Sequence, residues 1–341
     1  PSATKIQRRY MCSYNAPNMM LPPIEMLSIG SILREYTDAK VHLLDAVAEG
    51  LNIQETADQL NALKPDLIIS LTGFESIEEE INTINSLKNL SALSKWVLFG
   101  HYATLFYKEI FNLTKVDYII LDEPDLKILS LYKAIKGELQ LSEVEGVCYV
   151  LDGEEIKQDG KSRIRKTEDL PMPAHDLLKA DLYFEPFVPK PLGLIQSARG
   201  CPYSCNYCVK SFGKQLSLRT PEQVLEEVQF LIKHNKIKSL RFIDDTFTVN
   251  EKRVIDICKL FIENKITIPW TCLSRPDTIS EEMIDWMAKA NCTRIYFGIE
   301  SGSTKILESY NKSFDLKRAE ELIQYCSKKK IETLGFFMVG N

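Results

Sequence analysis

The chain of 341 residues has only four histidines and three tryptophans, and no apolar run in it approaches the roughly 18 to 20 residues that a bilayer crossing needs. It also lacks an excess of positive charge. A formal net charge of -5 argues against a protein that grips nucleic acid through a basic field, so no nucleic acid partner is expected. No basic segment followed by an apolar one opens the sequence, and the expected setting is cytoplasmic, without a membrane span. A disulfide framework is missing too. The nine cysteines (Cys12, Cys148, Cys201, Cys205, Cys208, Cys258, Cys272, Cys292 and Cys326) are odd in number and scattered. With 45% hydrophobic and 26% charged residues, the chain can bury a sizeable core, and its length suits two domains.

The first section reads as alternating helix and strand. Helical spacing over Ile24–Arg34, Ile53–Leu63, Ile77–Leu87 and Tyr102–Leu113 alternates with short apolar runs at Val41–Leu44, Asp66–Ser70, Trp96–Phe99 and Asp117–Ile120. Continuous apolar strands between helices predict a parallel sheet covered on both faces, a doubly wound, Rossmann-like α/β domain over residues 1–140. From 141 to 190 the texture changes. Cys148–Leu151 and Glu155–Lys157 flank Asp152-Gly153, a hairpin signal, and a segment with a basic cluster (Lys161, Arg163, Arg165, Lys166) and prolines at 171, 173, 186 and 189, with Pro191 just beyond, follows. This stretch is expected to be a hairpin and linker.

Alternation then resumes over 191–341. Strands are predicted at Leu192–Gln196, Leu240–Ile243, Ile268–Leu273, Arg294–Ile299 and Thr333–Val339, with helices at Pro221–Lys233, Glu251–Glu263, Ser280–Ala288 and Leu316–Lys328. Thr220 before Pro221, and Ser280, suit helix N-caps. Five such beats predict a partial (β/α) barrel, whose functional rim is formed by loops at the carboxyl ends of its strands.

Directly after the first of these strands stands Ser197-Ala198-Arg199-Gly200-Cys201-Pro202-Tyr203-Ser204-Cys205-Asn206-Tyr207-Cys208. Three thiols at CxxxCxxC spacing on a loop with Gly200 and Pro202 can converge on one iron–sulfur cubane and leave one of its four irons open. A structural zinc site is the alternative, but it needs four closed ligands, and no second CxxC or histidine pair completes one.

This spacing, with Tyr207 before the last cysteine, resembles the radical S-adenosylmethionine (SAM) superfamily over nearly all of residues 192–341. The resemblance implies a 4Fe-4S cluster on Cys201, Cys205 and Cys208, with SAM chelated at the open iron and reductively cleaved to methionine and a 5′-deoxyadenosyl radical. It implies an electron donor such as flavodoxin or ferredoxin. Asp244 and Asp245, ending the second strand, would face the methionine end of SAM; Ser274 and Glu300 would suit its ribose and Arg275 its carboxylate. Capping by one aspartate and an Arg275–Glu300 ion pair are the structural alternatives. Gly335–Gly340 would pack near the adenine. Cys258, Cys272, Cys292 and Cys326 read as small buried hydrophobes.

The doubly wound section ahead of this barrel is similar to the cobalamin-binding class of radical SAM enzymes. The similarity rests on Leu21-Pro22-Pro23, Leu43-Leu44-Asp45-Ala46, Thr72-Gly73, Gly100-His101-Tyr102-Ala103-Thr104, Asp122-Glu123-Pro124 and the junction Leu170-Pro171-Met172-Pro173-Ala174-His175-Asp176-Leu177. It implies cobalamin near Thr72, Gly73, Gly100, His101 and Glu123, which share the carboxyl edge where such sheets bind ligands. A DxHxxG phrase is absent around His42 and His101, which leaves the mode of coordination open. Methyl transfer to an unreactive carbon of a small-molecule or peptide substrate is the implied reaction; cyclisation, rearrangement and a non-catalytic sensor are its rivals. The family pattern also has a strand before Pro1 and a sixth barrel strand after Asn341, so a trimmed chain of reduced stability is expected.

Overall fold

A computed structural model describes residues 7–9, 12–14, 19–73, 77–90, 94–160, 166–209 and 212–340. Strands β1 (Gln7–Arg9) and β2 (Cys12–Tyr14) form a small antiparallel pair. The chain divides into two compact units, residues 1–164 with 171–178, and residues 165–170 with 179–341.

The first unit continues with helices α1 (Ile24–Tyr36), α2 (Ala46–Glu49) and α3 (Ile53–Leu63), strand β3 (Leu67–Leu71), α4 (Ile77–Leu90) and β4 (Lys95–Phe99). After these come α5 (His101–Leu105), α6 (Tyr107–Leu113), β5 (Tyr118–Ile120), α7 (Asp125–Ile135), β6 (Val147–Leu151) and β7 (Glu154–Lys157). The sheet runs β3-β4-β5-β6-β7, with the first three strands parallel and the last two antiparallel. Trp96 through Phe99 are all buried, as a strand covered on both faces requires. Trp96 and Leu98 pack with Ala57, Leu60, Ile84 and Leu87 from α3 and α4.

Three expectations change here. Val41–Leu44 is not a strand: it stays half-exposed or exposed and leads into α2, whose N-cap Asp45 accepts a hydrogen bond from the Ala48 N–H at 3.0 Å. The helix expected over Tyr102–Leu113 breaks at Phe106, where φ is -124° and ψ 36°. The hairpin does not stand apart as a linker, because Ile119 of β5 pairs with Cys148 of β6 and the hairpin completes the sheet edge. Likewise, Pro171–Leu178 returns to α1: the Ala174 N–H donates to the Leu27 carbonyl at 3.0 Å, and Arg34 forks onto Asp176 at 2.8 and 2.9 Å.

The second unit holds β8 (Leu192–Ile195), a short antiparallel pair β9 (Ala198–Arg199) and β10 (Ser217–Leu218), then α8 (Pro221–His234), β11 (Ser239–Phe242), α9 (Glu251–Glu263) and β12 (Trp270–Ser274). It ends with α10 (Glu281–Lys289), β13 (Cys292–Glu300), α11 (Thr304–Ser309), α12 (Leu316–Lys328) and β14 (Glu332–Phe337). Five parallel strands lie in the order β14-β13-β12-β11-β8, the partial barrel expected from the sequence. Thr220 and Gln223 form a reciprocal capping box at α8, and Ser280 caps α10 through the Met283 N–H.

Strand alternation sorts the two faces of this sheet. Phe242, Trp270, Ile295, Phe297 and Ile299 join Phe247 and Phe261 in one core, with the Phe242 and Trp270 rings edge-on at 5.5 Å. Cys258, Cys272, Cys292 and Cys326 are buried in the same core. The opposite face carries Arg241 on β11 and Tyr296 on β13. There Arg241 pairs with Glu185 at 2.9 Å and lies 4.6 Å over the Tyr296 ring, while the Tyr296 hydroxyl donates to the same carboxylate.

Candidate cluster and cofactor site

The cysteine loop begins where β8 ends, and the chain fixes that point from both sides. The Ser197 N–H, its hydroxyl and the Ala198 N–H all donate to Asp244, at 2.6, 2.5 and 2.9 Å. Arg253 donates to the Ser197 carbonyl at 2.8 Å and to the Arg219 carbonyl at 2.9 Å. Asp244 is fully buried; burial pushes its carboxyl above the ordinary range, against the Arg253 charge and the Ser197 and Ala198 donors. Oδ1 accepts both N–H groups and Oδ2 the hydroxyl. Asp245, its neighbour, is half-buried.

Gly200 then turns the chain at φ +83°, where a Cβ would lie 2.2 Å from the Gln215 carbonyl oxygen. Only glycine fits that approach. The Cys201 N–H donates to the Gly213 carbonyl at 3.1 Å, and the Cys201 sulfur lies 3.8 Å from the Thr246 hydroxyl. Further along, the loop docks on the turn after α11. The Asn206 N–H donates to the Tyr310 carbonyl at 3.1 Å, its side-chain amide donates to the Ser309 carbonyl at 2.6 Å, and Asn311 donates to the Ser204 carbonyl at 2.8 Å.

Two charged arrangements flank the thiols. In the first, the Tyr207 hydroxyl donates to Glu300 at 3.1 Å, and Lys312 donates to the same carboxylate oxygen at 2.8 Å and to the phenol oxygen at 3.2 Å. Burial and then the Glu300 charge push the Tyr207 phenol well above its ordinary range. Gly298 makes room: a Cβ there would stand 2.7 Å from both the Glu300 carboxylate and the Lys312 ammonium. In the second, Arg275 forks onto Asp277 at 2.9 and 2.8 Å, donates to the Cys205 sulfur at 3.3 Å, and stacks 3.7 Å from the Tyr203 ring centroid. Ser274 is buried, its hydroxyl 2.7 Å from that of Thr248.

The structure thus brings Tyr207 to Glu300 and Cys205 to Arg275, all at carboxyl ends of parallel strands or on the loop beside them. Arg275 and Glu300 do not pair with each other, the structural alternative considered from sequence; each has a nearer partner, Asp277 and Lys312. Lys312 and Asp277 were not singled out from sequence as partners. Lys312 lies twelve residues past the strand, in a segment with no motif of its own. Among the described residues no group of three or more His, Cys, Asp and Glu side chains could hold a single metal ion. A cubane makes a different demand, since it offers a separate iron to each thiolate. Cys201, Cys205 and Cys208 are respectively half-buried, buried and exposed.

In the first unit, Thr72 ends β3 and is buried, its hydroxyl donating to the Phe99 carbonyl at 3.1 Å and accepting from the Ala103 N–H at 3.3 Å. Gly100 ends β4 at φ +124°, and a Cβ on it would stand 2.4 Å from the Thr72 carbonyl oxygen. The Gly73 N–H donates to Glu80 at 3.2 Å. His101 opens α5 with its pKa lowered by burial, against the charge of Asp122. Glu123 is buried just past β5. Thr72, Gly73, Gly100 and His101 thus lie together just past the carboxyl ends of β3 and β4.

Comparison with known proteins identifies the family and the fold. The radical SAM superfamily model matches residues 195–341. An uncharacterized methyltransferase, PH0819 of Pyrococcus horikoshii, is 31% identical over 94% of this chain and 69% of its own length. The anaerobic magnesium-protoporphyrin IX monomethyl ester cyclase of Rubrivivax gelatinosus is 23% identical over 94% of this chain and 59% of its own. The chain belongs to the radical SAM superfamily. Among solved structures, the cobalamin-dependent SAM radical enzyme OxsB with aqua-cobalamin bound superposes with a TM-score of 0.81 at 22% identity, over 94% of this chain and 48% of that one. The radical SAM methyltransferase TsrM from Kitasatospora setae, with cobalamin and a 4Fe-4S cluster bound, gives 0.74 at 15% identity, over 92% and 64%. These likenesses establish the fold, a doubly wound unit followed by a partial radical SAM barrel. The chain spans between about half and two thirds of the length of these proteins.

Proposed function

We propose that Cys201, Cys205 and Cys208 hold a 4Fe-4S cluster, that the chain cleaves SAM reductively, and that it transfers a methyl group with cobalamin held by the first unit. The observation that carries this is the construction of the cysteine loop: three cysteines at CxxxCxxC spacing, a glycine that alone permits the turn, and a cation donating to the Cys205 sulfur. When bound, the cluster would supply one electron to the sulfonium of SAM and the cobalamin would carry the methyl group. Asp244 and Arg253 hold the start of the loop by binding Ser197 through its N–H, hydroxyl and carbonyl. Tyr207 ties the loop's far end to β13 through Glu300. Ser274 and Asp245 stand at the same strand ends as candidates for SAM, and Thr72, Gly73, Gly100, His101 and Glu123 as candidates for the cobalamin edge. A low-potential one-electron donor such as flavodoxin or ferredoxin would serve the cluster.

A radical-driven ring closure is the second reading, favoured by the cyclase among the relatives. Among the described residues no helix is long and apolar enough to cross a membrane, and the substrate class proposed is a small molecule or peptide. The test is anaerobic reconstitution of the full-length protein with iron, sulfide and cobalamin, followed by reduction in the presence of SAM. Methyl transfer predicts 5′-deoxyadenosine together with S-adenosylhomocysteine; 5′-deoxyadenosine alone favours cyclisation, and neither product refutes both readings.

A further inference from the structure

We propose that Arg275 is a positioning residue that sets the reduction potential of the cluster through its hydrogen bond to the Cys205 sulfur, and that Asp277 limits how far it does so. The inference rests on the reading of the three cysteines given above.

The geometry assigns every side of this guanidinium. One edge, Nε with one terminal nitrogen, is forked onto Asp277 at 2.9 and 2.8 Å. The other terminal nitrogen donates to the Cys205 sulfur at 3.3 Å. One face lies on the Tyr203 ring at 3.7 Å. A planar cation held by a fork and a ring has little rotational freedom left, so its third contact is aimed rather than incidental. The Arg275 side chain is only 8% exposed, and water screens the contact weakly. Its edge is already matched to a carboxylate of the protein, and its third donor points at a thiol rather than into open space.

Hydrogen bonds and charge at ligand sulfurs are among the terms that set the potential of an iron–sulfur cluster. On reduction the cluster takes one electron from a low-potential donor, and no bond to Arg275 is made or broken. A cation donating to a ligand sulfur would stabilise the more negative, reduced cluster more than the oxidised one and so raise the potential. Asp277 sits on the other edge of the same cation and subtracts part of that field. A cluster that must deliver its electron to a sulfonium needs a potential that is low yet reachable by its donor, and this pair offers opposed controls on it.

The experiment is a redox titration of the full chain, reconstituted anaerobically and without SAM, followed by the visible absorbance and electron paramagnetic resonance of the cluster. R275Q is expected to lower the midpoint so that, at a fixed poise, the ratio of reduced to oxidised cluster falls about tenfold, a shift of about 59 mV for one electron. R275K, which keeps the charge and loses the fork, is expected to shift it less. D277N is expected to shift it the other way. If R275Q does not fold or take up iron, D277N decides: an unchanged midpoint overturns the proposal. Midpoints of R275Q and D277N within error of wild type, with clusters intact, also overturn it. A wild-type chain that takes up no iron and sulfide would instead overturn the reading of the cysteines.

Discussion

Gly298 and Glu300 stand two residues apart on one face of β13, and the missing Cβ of the first is what admits the carboxylate of the second against Lys312. Glu300 itself has φ +64°, and its side chain reaches Tyr207 of the cysteine loop. In G298A the new methyl would meet the flexible ends of two side chains, which can shift. The expected cost is about 1 kcal/mol in urea denaturation, with the Tyr207–Glu300 contact loosened.

G200A makes the contrasting case. Its methyl would meet a backbone carbonyl oxygen at 2.2 Å, and its φ of +83° already disfavours any side chain. Neither obstacle can move without opening the loop. We expect a loss of about 2 kcal/mol or more and a cluster content well below that of G298A, measured as iron and sulfide per chain after reconstitution.

The cysteines divide by burial. Cys208 is exposed and Cys205 buried, so C208A should leave the unfolding midpoint of the cluster-free chain within about 0.5 kcal/mol of wild type, while C205A costs more by removing the partner of Arg275. Both variants, and C201A, should fail to hold the full complement of iron and yield no 5′-deoxyadenosine. A variant that kept both would mean that the loop is not the cluster ligand.

How much of this was legible in sequence follows from range. The strands Trp96–Phe99 and Arg294–Ile299 and the caps Thr220 and Ser280 are local patterns, and the structure has them within a residue or two. Val41–Leu44 looked like a strand because four residues carry no information about a partner, and burial decides. The same limit applies at the site. Cys201, Cys205 and Cys208 lie within eight positions and announce themselves, whereas the partners of Arg275 and Glu300 depend on which of several nearby charges the fold brings closest. Asp244 stood where a ligand contact was expected. That it also accepts from Ser197 is a fact of packing 47 positions away in the chain.

Asp117 offers a pH test. It accepts from Lys88 at 2.7 Å, Lys95 at 2.9 Å and the Trp96 N–H at 2.9 Å; burial alone would raise its pKa, but these donors together hold it below the ordinary carboxylate value. A depressed native pKa gives stability that is present above the unfolded value, about 3.9, and is lost as pH falls through the folded one. The site is partly open to water, so screening keeps the contribution modest. D117N should cost about 1 kcal/mol at pH 7 and progressively less below pH 4, read from urea midpoints; a penalty independent of pH would show that shape rather than charge is at work.

The barrel interior gives the strongest stability prediction. Glu185, Arg241 and Tyr296 are all more than nine-tenths buried, and Arg241 has its ion pair with Glu185 and its stacking on Tyr296. Removing Glu185 alone would leave a buried guanidinium without its carboxylate, at about 3 to 5 kcal/mol. Removing both charges, as in E185L/R241M, replaces two desolvated ions by apolar groups of similar bulk. The double variant should therefore be more stable than E185L and cost far less than the sum of the single changes, which a double-mutant cycle in urea measures directly. Additive losses would mean that the two side chains act independently, and that the pair holds the β11–β13 face through packing on Tyr296 rather than through charge.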